Sequence, residues 1–109
     1  MRRIALIAKA LMLPLLQTAA LAATHDSKVP VSLHAFKMEC VHFKLVGVSV
    51  ADPAISNSPW FGLAKSHPNF AELFAILLTA NASKQATTVH TDGGSAWGYA
   101  SVAAVSLES

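Results

Sequence analysis

The stretch Ser66 to Lys84, SHPNFAELFAILLTANASK, is the only part of the sequence after the first 22 residues that has a clear helical period. Asn69 followed three residues later by Glu72 is a capping-box pattern, so we predict a helix over about 69–83. The large apolar side chains fall in one arc of a helical wheel: Phe70, Leu73, Phe74, Leu77 and Leu78. A helix with one apolar arc needs a sheet or a partner to cover it.

The first 22 residues have the pattern of a secretory signal peptide. Arg2 and Arg3 precede an apolar run from Ile4 to Leu16, and Ala20 to Ala22 has the A-x-A form of a cleavage site. The alternative, a membrane anchor, needs about 20 apolar residues, and this run is shorter. We therefore predict that residues 1–22 are removed and that the protein is exported, either to the periplasm or as a secreted protein.

Removal of the leader changes the charge of the chain. The full sequence has a formal net charge of +2, with eight basic and six acidic residues. Arg2, Arg3 and Lys9 lie in the leader, which leaves five lysines against six acidic residues and a net charge of −1. The remaining chain has no arginine, on which phosphate contacts and guanine recognition rely most. We therefore predict no nucleic-acid binding and, after cleavage, no membrane binding.

Five segments outside the helix alternate polar and apolar residues or are rich in β-branched residues: 29–36, 40–51, 60–64, 86–91 and 97–107. Ala23 to Lys28 is polar, and we predict a flexible N-terminus over 23–28. The alternation changes phase at Gly47, which indicates a bulge in a curved strand. Asp92 to Ser95, DGGS, has the composition of a turn between antiparallel strands.

The predicted order is therefore three strands, one helix and two strands, within a single domain over 29–109. This order, β-β-β-α-β-β, is that of the OB-fold, a small five-stranded antiparallel barrel with a helix at one end. We expect a mainly β, α+β domain and, more specifically, a closed OB-like barrel.

Three runs carry a resemblance to known proteins: PWFGLAKSHPNFAELFAILLTANASK from Pro59, TTVH from Thr87 and GYASVAAVSL from Gly98. They resemble a class of small exported bacterial proteins with an aromatic strand, an amphipathic helix, a V-x-V strand and a closing G-Y-A-x-V strand. Similar proteins often carry two cysteines, whereas this sequence has only Cys40. The strand order also resembles that of the receptor-binding rings of bacterial toxins, which leaves a homo-oligomer open but transfers no function.

No catalytic motif is recognisable, so we predict a protein that is not an enzyme. Ser95 lies in GGSAWG, but Trp97 stands where the G-x-S-x-G elbow requires its second glycine. The single cysteine, Cys40, excludes an internal disulfide. Its apolar neighbours favour a buried thiol over a reactive one or one that pairs between chains.

Five histidines in so short a chain suggest two metal-binding hypotheses. His34, His42 and His90 occupy the polar phase of three strands, where they either converge or remain ordinary surface residues. After leader cleavage the chain would begin Ala23-Thr24-His25. Its amino group, two backbone amides and an imidazole form a square-planar nitrogen set, which suits Cu(II) or Ni(II). No other cofactor is predicted.

Trp60, Phe61, Trp97 and Tyr99 are the candidate binding residues, because aromatic rings on strands stack on sugars and bases. The alternative interpretation is that the tryptophans are core or rim packing. The sequence therefore predicts a small exported binding or interaction module whose partner is an unidentified protein or glycan. Two alternatives stay open: capture of Cu(II) or Ni(II) through Ala23, Thr24 and His25, and a glycan- or receptor-binding subunit of a larger assembly.

Overall fold

The structure, a computed structural model, describes residues 23–35 and 39–108. The predicted signal peptide lies outside these residues. The described part of the chain consists of six strands and one helix: β1 Thr24–Lys28, β2 Pro30–Ala35, β3 Cys40–Leu45, β4 Phe61–Ala64, α1 Phe70–Ser83, β5 Thr87–Ala96 and β6 Tyr99–Leu107. Over these same residues, no helix has the length and apolar character that crossing a membrane requires.

The six strands form one sheet in the order β1-β5-β6-β4-β3-β2. Neighbours are antiparallel except β4 and β6, which run parallel with Phe61 beside Ala100 and Gly62 beside Ser101. The predicted closed, five-stranded OB-like barrel is therefore wrong: the sheet is open, mixed and six-stranded, while the broader α+β class fits. Alternation reports which face of a sheet a residue occupies, but it does not report which strand lies beside it.

The sixth strand comes from residues that were predicted to be a flexible N-terminus. β1 pairs with β5, and Thr24 lies beside His90. Val29 alone separates β1 from β2, although these two strands are the opposite edges of the sheet. The sheet must therefore curl until its edges approach each other near Val29. The carbonyl of Val29 accepts a hydrogen bond from Val46 N–H at 3.0 Å, which holds this corner to the end of β3.

β3 is shorter than the strand predicted over 40–51. Gly47 adopts a left-handed φ of +81°, and the chain leaves the sheet just before it. The change of phase therefore marks the end of a strand rather than a bulge within one. The loop that follows is anchored at Asp52, which is buried. Its Oδ2 accepts a hydrogen bond from Thr91 Oγ1 at 3.1 Å, and its Oδ1 accepts one from Ala54 N–H at 3.0 Å.

Helix α1 packs on one side of the sheet, which we call the core face. The core contains alternate residues of β3 and the inward side of α1: Val41, Phe43, Leu45, Leu73 and Leu77. Phe43 stacks on Phe61 of β4, with ring centres 5.1 Å apart. Burial of one such side chain contributes about 1.5–3 kcal/mol. Leu78 was predicted in the apolar arc but is 48% exposed, because the sheet covers only part of that arc.

The N-terminal end of α1 is not closed as the sequence predicted. The Asn69 side chain makes no capping hydrogen bond, so the predicted capping box with Glu72 does not form. Instead, His67 Nδ1 accepts a hydrogen bond from Asn69 N–H at 3.0 Å, and His67 Nε2–H donates to the carbonyl of Ala103 at 3.0 Å. At the other end Lys84 adopts a left-handed φ of 58°, which stops the helix.

The β5–β6 hairpin turns later than the sequence predicted. Asp92 to Ser95 belongs to an irregular part of β5, where Asp92 Oδ1 accepts a hydrogen bond from Gly94 N–H at 2.8 Å. The turn lies at Trp97 and Gly98, whose φ values of 55° and 90° match a type I′ turn. The longer hairpin places Tyr99 directly after the turn.

Gly62 on β4 allows the backbone at the end of β5 to approach closely. A Cβ at this position would lie 2.7 Å from the carbonyl oxygen of Ala96 and 3.2 Å from Cys40 Sγ. The end of β5 therefore passes over β4 at a distance that a side chain would not allow. This crossing is on the side of the sheet away from α1, which we call the outer face.

We predict that Gly62→Ala lowers the free energy of unfolding by about 1–3 kcal/mol, because the backbone oxygen of Ala96 cannot move aside as a flexible side chain can. Urea denaturation measures the loss. Gly94→Ala is the matched control, since its Cβ would meet only the Asp92 side chain, at 3.2 Å. An equal effect of both substitutions would contradict this account.

Cys40 is fully buried on β3, as the sequence predicted. Burial raises the pKa of its thiol from 9.0 to about 11, against a smaller lowering by a hydrogen bond from the backbone of Leu63. At pH 8 the fraction of reactive thiolate is therefore about a hundredfold below that of an ordinary cysteine. We expect iodoacetamide to label the native protein at least that much more slowly than the urea-unfolded chain. Comparable rates in the two states would show that the thiol is accessible.

Glu108 ties the C-terminal end of the described chain to β1 and β5. Its carboxylate accepts hydrogen bonds from Ser27 N–H at 3.0 Å, from the Ser27 hydroxyl at 2.9 Å and from the Thr88 hydroxyl. These bonds hold the pKa of Glu108 below its ordinary value of 4.5, with the Thr88 hydroxyl as the largest cause.

Because the folded-state pKa of Glu108 is lowered, its contribution to stability is full above about pH 4.5 and is lost as the pH falls through the lower folded value. We predict that the Tm of the unmodified protein exceeds that of Glu108→Gln at pH 7, and that the gap narrows in acid. Calorimetry over this pH range measures it, with Glu72→Gln on the exposed side of α1 as control. A gap that stays constant with pH would rule the account out.

Candidate ligand-binding pocket

Four ring side chains from separate parts of the sheet converge on the outer face. They line an open pocket of about 130 Å³ and come from β2, β3, the residue before β4 and the start of β6: His34, His42, Trp60 and Tyr99. We call this the four-ring pocket. A volume of this size holds one small ring or a few water molecules rather than an extended chain.

The rings of the four-ring pocket form a continuous chain of contacts, from His34 through Trp60 and Tyr99 to His42. The His34 and Trp60 ring centres are 5.3 Å apart, and those of Trp60 and Tyr99 are 6.3 Å apart. Tyr99 and His42 meet edge to face at 4.6 Å with an interplanar angle of 80°. Such distances are those of favourable ring–ring packing, so the walls of the pocket support one another in the absence of a ligand.

Strand alternation and register explain how the two histidines arrive there. Val41 and Phe43 of β3 face the core, so His42 between them must face outward. The antiparallel pairing of β2 with β3 places His34 directly opposite His42. On the other side of β3, His42 lies beside Gly62, which has no side chain to fill the outer face.

Tyr99 and Trp60 reach the pocket through the chain connections around β4. Ala96 crosses over Gly62, and the two-residue turn at Trp97 and Gly98 then brings Tyr99 against His42. Trp60 immediately precedes β4, and its ring lies beside His34. The pocket therefore depends on the parallel contact between β4 and β6, a feature of the tertiary structure.

The pocket contains one deeply buried imidazole and has a lysine at its rim. His42 is only 3% exposed, and burial lowers the pKa of its imidazole, with a further lowering from His34. His42 is therefore uncharged at neutral pH. Lys44, two residues further along β3, holds its Nζ 5.0 Å from the centre of the Trp60 ring, a cation–π distance. None of the four lining residues carries a carboxylate.

The four aromatic candidates of the sequence analysis are separated by the fold. Trp60 and Tyr99 lie in the pocket. Phe61 is fully buried on the core face against Phe43 and does not line the pocket. Trp97 is 54% exposed at the hairpin turn and does not line the pocket. Sequence reasoning did not associate His34, His42 and Lys44 with these rings, although their polar strand phase was a usable signal.

The residues of the predicted N-terminal metal set lie at the start of the described chain. The Ala23 carbonyl accepts a hydrogen bond from Thr91 N–H at 2.9 Å, and Thr24 and His25 belong to β1. His25 Nε2–H donates to the carbonyl of Ala51 at 2.8 Å. Successive amides of a strand point in opposite directions, so the planar nitrogen set is not assembled in this conformation. Cu(II) or Ni(II) capture there stays a prediction that requires both cleavage and release of the end of β1.

The three strand histidines do not form one cluster. His34 and His42 meet in the pocket, whereas His90 lies on β5, where its Nδ1 and the Thr24 hydroxyl are hydrogen-bonded at 3.0 Å. Among residues 23–35 and 39–108, no group of three or more His, Cys, Asp or Glu side chains could hold a metal ion. A metal in this part of the protein would have to rely on two such side chains and on water or a ligand.

No protein-family model matches this chain, and a search of curated proteins found no significant similarity. The resemblance to small exported bacterial proteins therefore stays a prediction, and the function has to be argued from the geometry of the four-ring pocket.

Proposed function

We propose that this protein is a non-enzymatic binding module that holds a single sugar ring, such as the terminal residue of a glycan, in the four-ring pocket. One observation carries the proposal: Trp60, just before β4, and Tyr99, at the start of β6, line the same ring-sized pocket with their ring centres 6.3 Å apart. Both are aromatic side chains that bury the apolar face of a sugar and leave its hydroxyls accessible.

The polar groups of the pocket suit the hydroxyls of such a ligand. A neutral imidazole offers one N–H donor and one acceptor, and the Tyr99 hydroxyl offers both functions, so the lining can bond to hydroxyls that donate and accept. Such groups fix the orientation of a ligand whose ring is held by stacking. A nucleic acid is disfavoured, because residues 23–109 contain no arginine to bind phosphates.

Lys44 favours an acidic sugar over a neutral one. Its Nζ is the charged group at the Trp60 side of the pocket, and the four lining residues supply no carboxylate to oppose it. A ring that stacks on Trp60 and carries a carboxylate could take Lys44 as its charge partner. The gain from such a partly exposed pair is modest, on the order of 1 kcal/mol or less, so it tunes selectivity rather than affinity.

Export of the protein completes the proposal. The leader predicted over residues 1–22 would place the pocket in the periplasm or outside the cell, where glycans are accessible. A subunit of a larger assembly is compatible with this function, since the four-ring pocket occupies only one part of the outer face.

Saturation-transfer NMR with methyl glycosides of hexoses, N-acetylhexosamines and hexuronates tests the proposal. We expect transfer to at least one sugar, and we expect Trp60→Ala and Tyr99→Ala each to weaken binding roughly tenfold or more, on the scale of the about 1–3 kcal/mol that stacking of a nucleic-acid base on one aromatic ring contributes. Trp97→Ala is the matched control, since Trp97 is exposed and outside the pocket, and it should bind as the unmodified protein does.

Two outcomes contradict the proposal: no transfer to any sugar of the panel, or equal weakening by Trp60→Ala and Trp97→Ala. The preference for an acidic sugar is checked separately with methyl glucuronide and methyl glucoside, which differ only in the carboxylate. Lys44→Gln should remove the preference and leave the binding of the neutral sugar unchanged.

A further inference from the structure

His34 and His42 are separated in the sequence but lie side by side on the outer face of the sheet. His34 and His42 are direct partners in the antiparallel pairing of β2 and β3. Directly paired residues on the same face of an antiparallel sheet have Cβ atoms about 4.5–5.5 Å apart. Two imidazoles at that separation can turn one nitrogen each toward a common ion, with nitrogen–metal distances of about 2 Å.

Packing fixes the surroundings of the two imidazoles. His42 is only 3% exposed and lies between Val41 and Phe43, which face the core. The rings of Trp60 and Tyr99 hold the two imidazoles in place, at 5.3 Å from His34 and 4.6 Å from His42. The pocket between these groups, about 130 Å³, has room for an ion and several water molecules.

Within residues 23–35 and 39–108, the groups that lie at the histidine pair include Lys44, Trp60 and Tyr99. Lys44 on β3 carries a positive charge, but its Nζ lies over the Trp60 ring rather than between the imidazoles. Tyr99 on β6 contributes a phenol, and Trp60 contributes an indole that cannot bind a metal through its N–H. The described residues therefore offer two imidazole nitrogens at this place, and water could occupy further coordination positions.

We propose that His34 and His42 together form a binding site for a divalent transition-metal ion, with Cu(II) bound most tightly. Imidazole pairs suit Cu, Ni and Zn, and Cu(II) forms the strongest complexes of the divalent first-row ions. The site is distinct from the N-terminal set of Ala23, Thr24 and His25, and it does not depend on the sugar ligand. A bound ion would stiffen the contact between β2, which is an edge of the sheet, and β3.

The test is titration of the full chain with Cu(II). In the full chain the third residue is Arg3, so the N-terminal nitrogen set that includes His25 cannot form. We expect one equivalent to bind with an electron paramagnetic resonance spectrum of two nitrogen ligands. We also expect NMR signals of His34, His42 and Tyr99 to broaden before those of other residues. His34→Ala should raise the Kd at least about tenfold, because loss of a mere hydrogen-bond partner of a ligand already costs about 10–100-fold in metal affinity.

His90→Ala and His67→Ala are the matched controls, because both residues lie outside the pocket and have hydrogen bonds of their own. They should leave the Kd unchanged. His34 is exposed, so its substitution does not endanger folding, and His42→Gln checked by circular dichroism supplies the second ligand variant. The proposal is overturned if Cu(II) does not bind, or if His34→Ala binds it as tightly as His90→Ala does.

The same variants separate this proposal from the sugar site. Tyr99→Ala should weaken sugar binding while leaving two imidazoles for Cu(II). If the unmodified protein binds a sugar but not Cu(II), the metal site alone is refuted, and if it binds Cu(II) but no sugar, the sugar site alone is refuted.

Discussion

The structure depends on one geometric constraint: strands that form the two edges of the sheet are consecutive in the chain and are joined by Val29 alone. The ends of the two strands, Lys28 and Pro30, are two residue steps apart and can be separated by at most about 7 Å, so the edges lie close together there and the sheet has to curl. Hydrogen bonds hold the corner on both sides, from Thr87 Oγ1 to the Lys28 carbonyl at 2.8 Å and from Val46 N–H to the Val29 carbonyl at 3.0 Å. The curled sheet has a concave core face and a convex outer face, and the two faces have different roles in this protein.

The core face contributes the packing that stabilises the fold, and the outer face carries the four-ring pocket. On the core face the Phe43–Phe61 stack and the buried leucines of α1 form an apolar core. On the outer side Gly62 leaves a gap in the row of side chains, and the end of β5 closes over it at Ala96. That crossing is the reason a phenol from β6 meets an imidazole from β3, although β6 and β3 are not neighbours in the sheet.

The histidines illustrate how context divides one residue type into different roles. His25 and His67 each donate an Nε2–H to a backbone carbonyl, of Ala51 and Ala103, and thereby fasten β1 and the start of α1 to the rest of the fold. His34 and His42 instead line a pocket with two aromatic rings. Nothing in the spacing of the five residues along the sequence distinguishes the two groups, because the distinction arises from the partners that the fold provides.

The sequence by itself determined the α+β class, the presence of one helix over about 69–83, the buried Cys40 and the outward phase of His42, since each follows from local periodicity or composition. Only the tertiary structure decided that Thr24–Lys28 is a strand, that the sheet stays open, and that Phe61 belongs to the core while Trp60 belongs to a pocket. The hydrophobic periodicity of a short segment predicts which face of its helix or strand each residue occupies. The pairing of distant strands and the crossing at Gly62 are contacts between segments about 35 residues apart or more, and no local pattern records them.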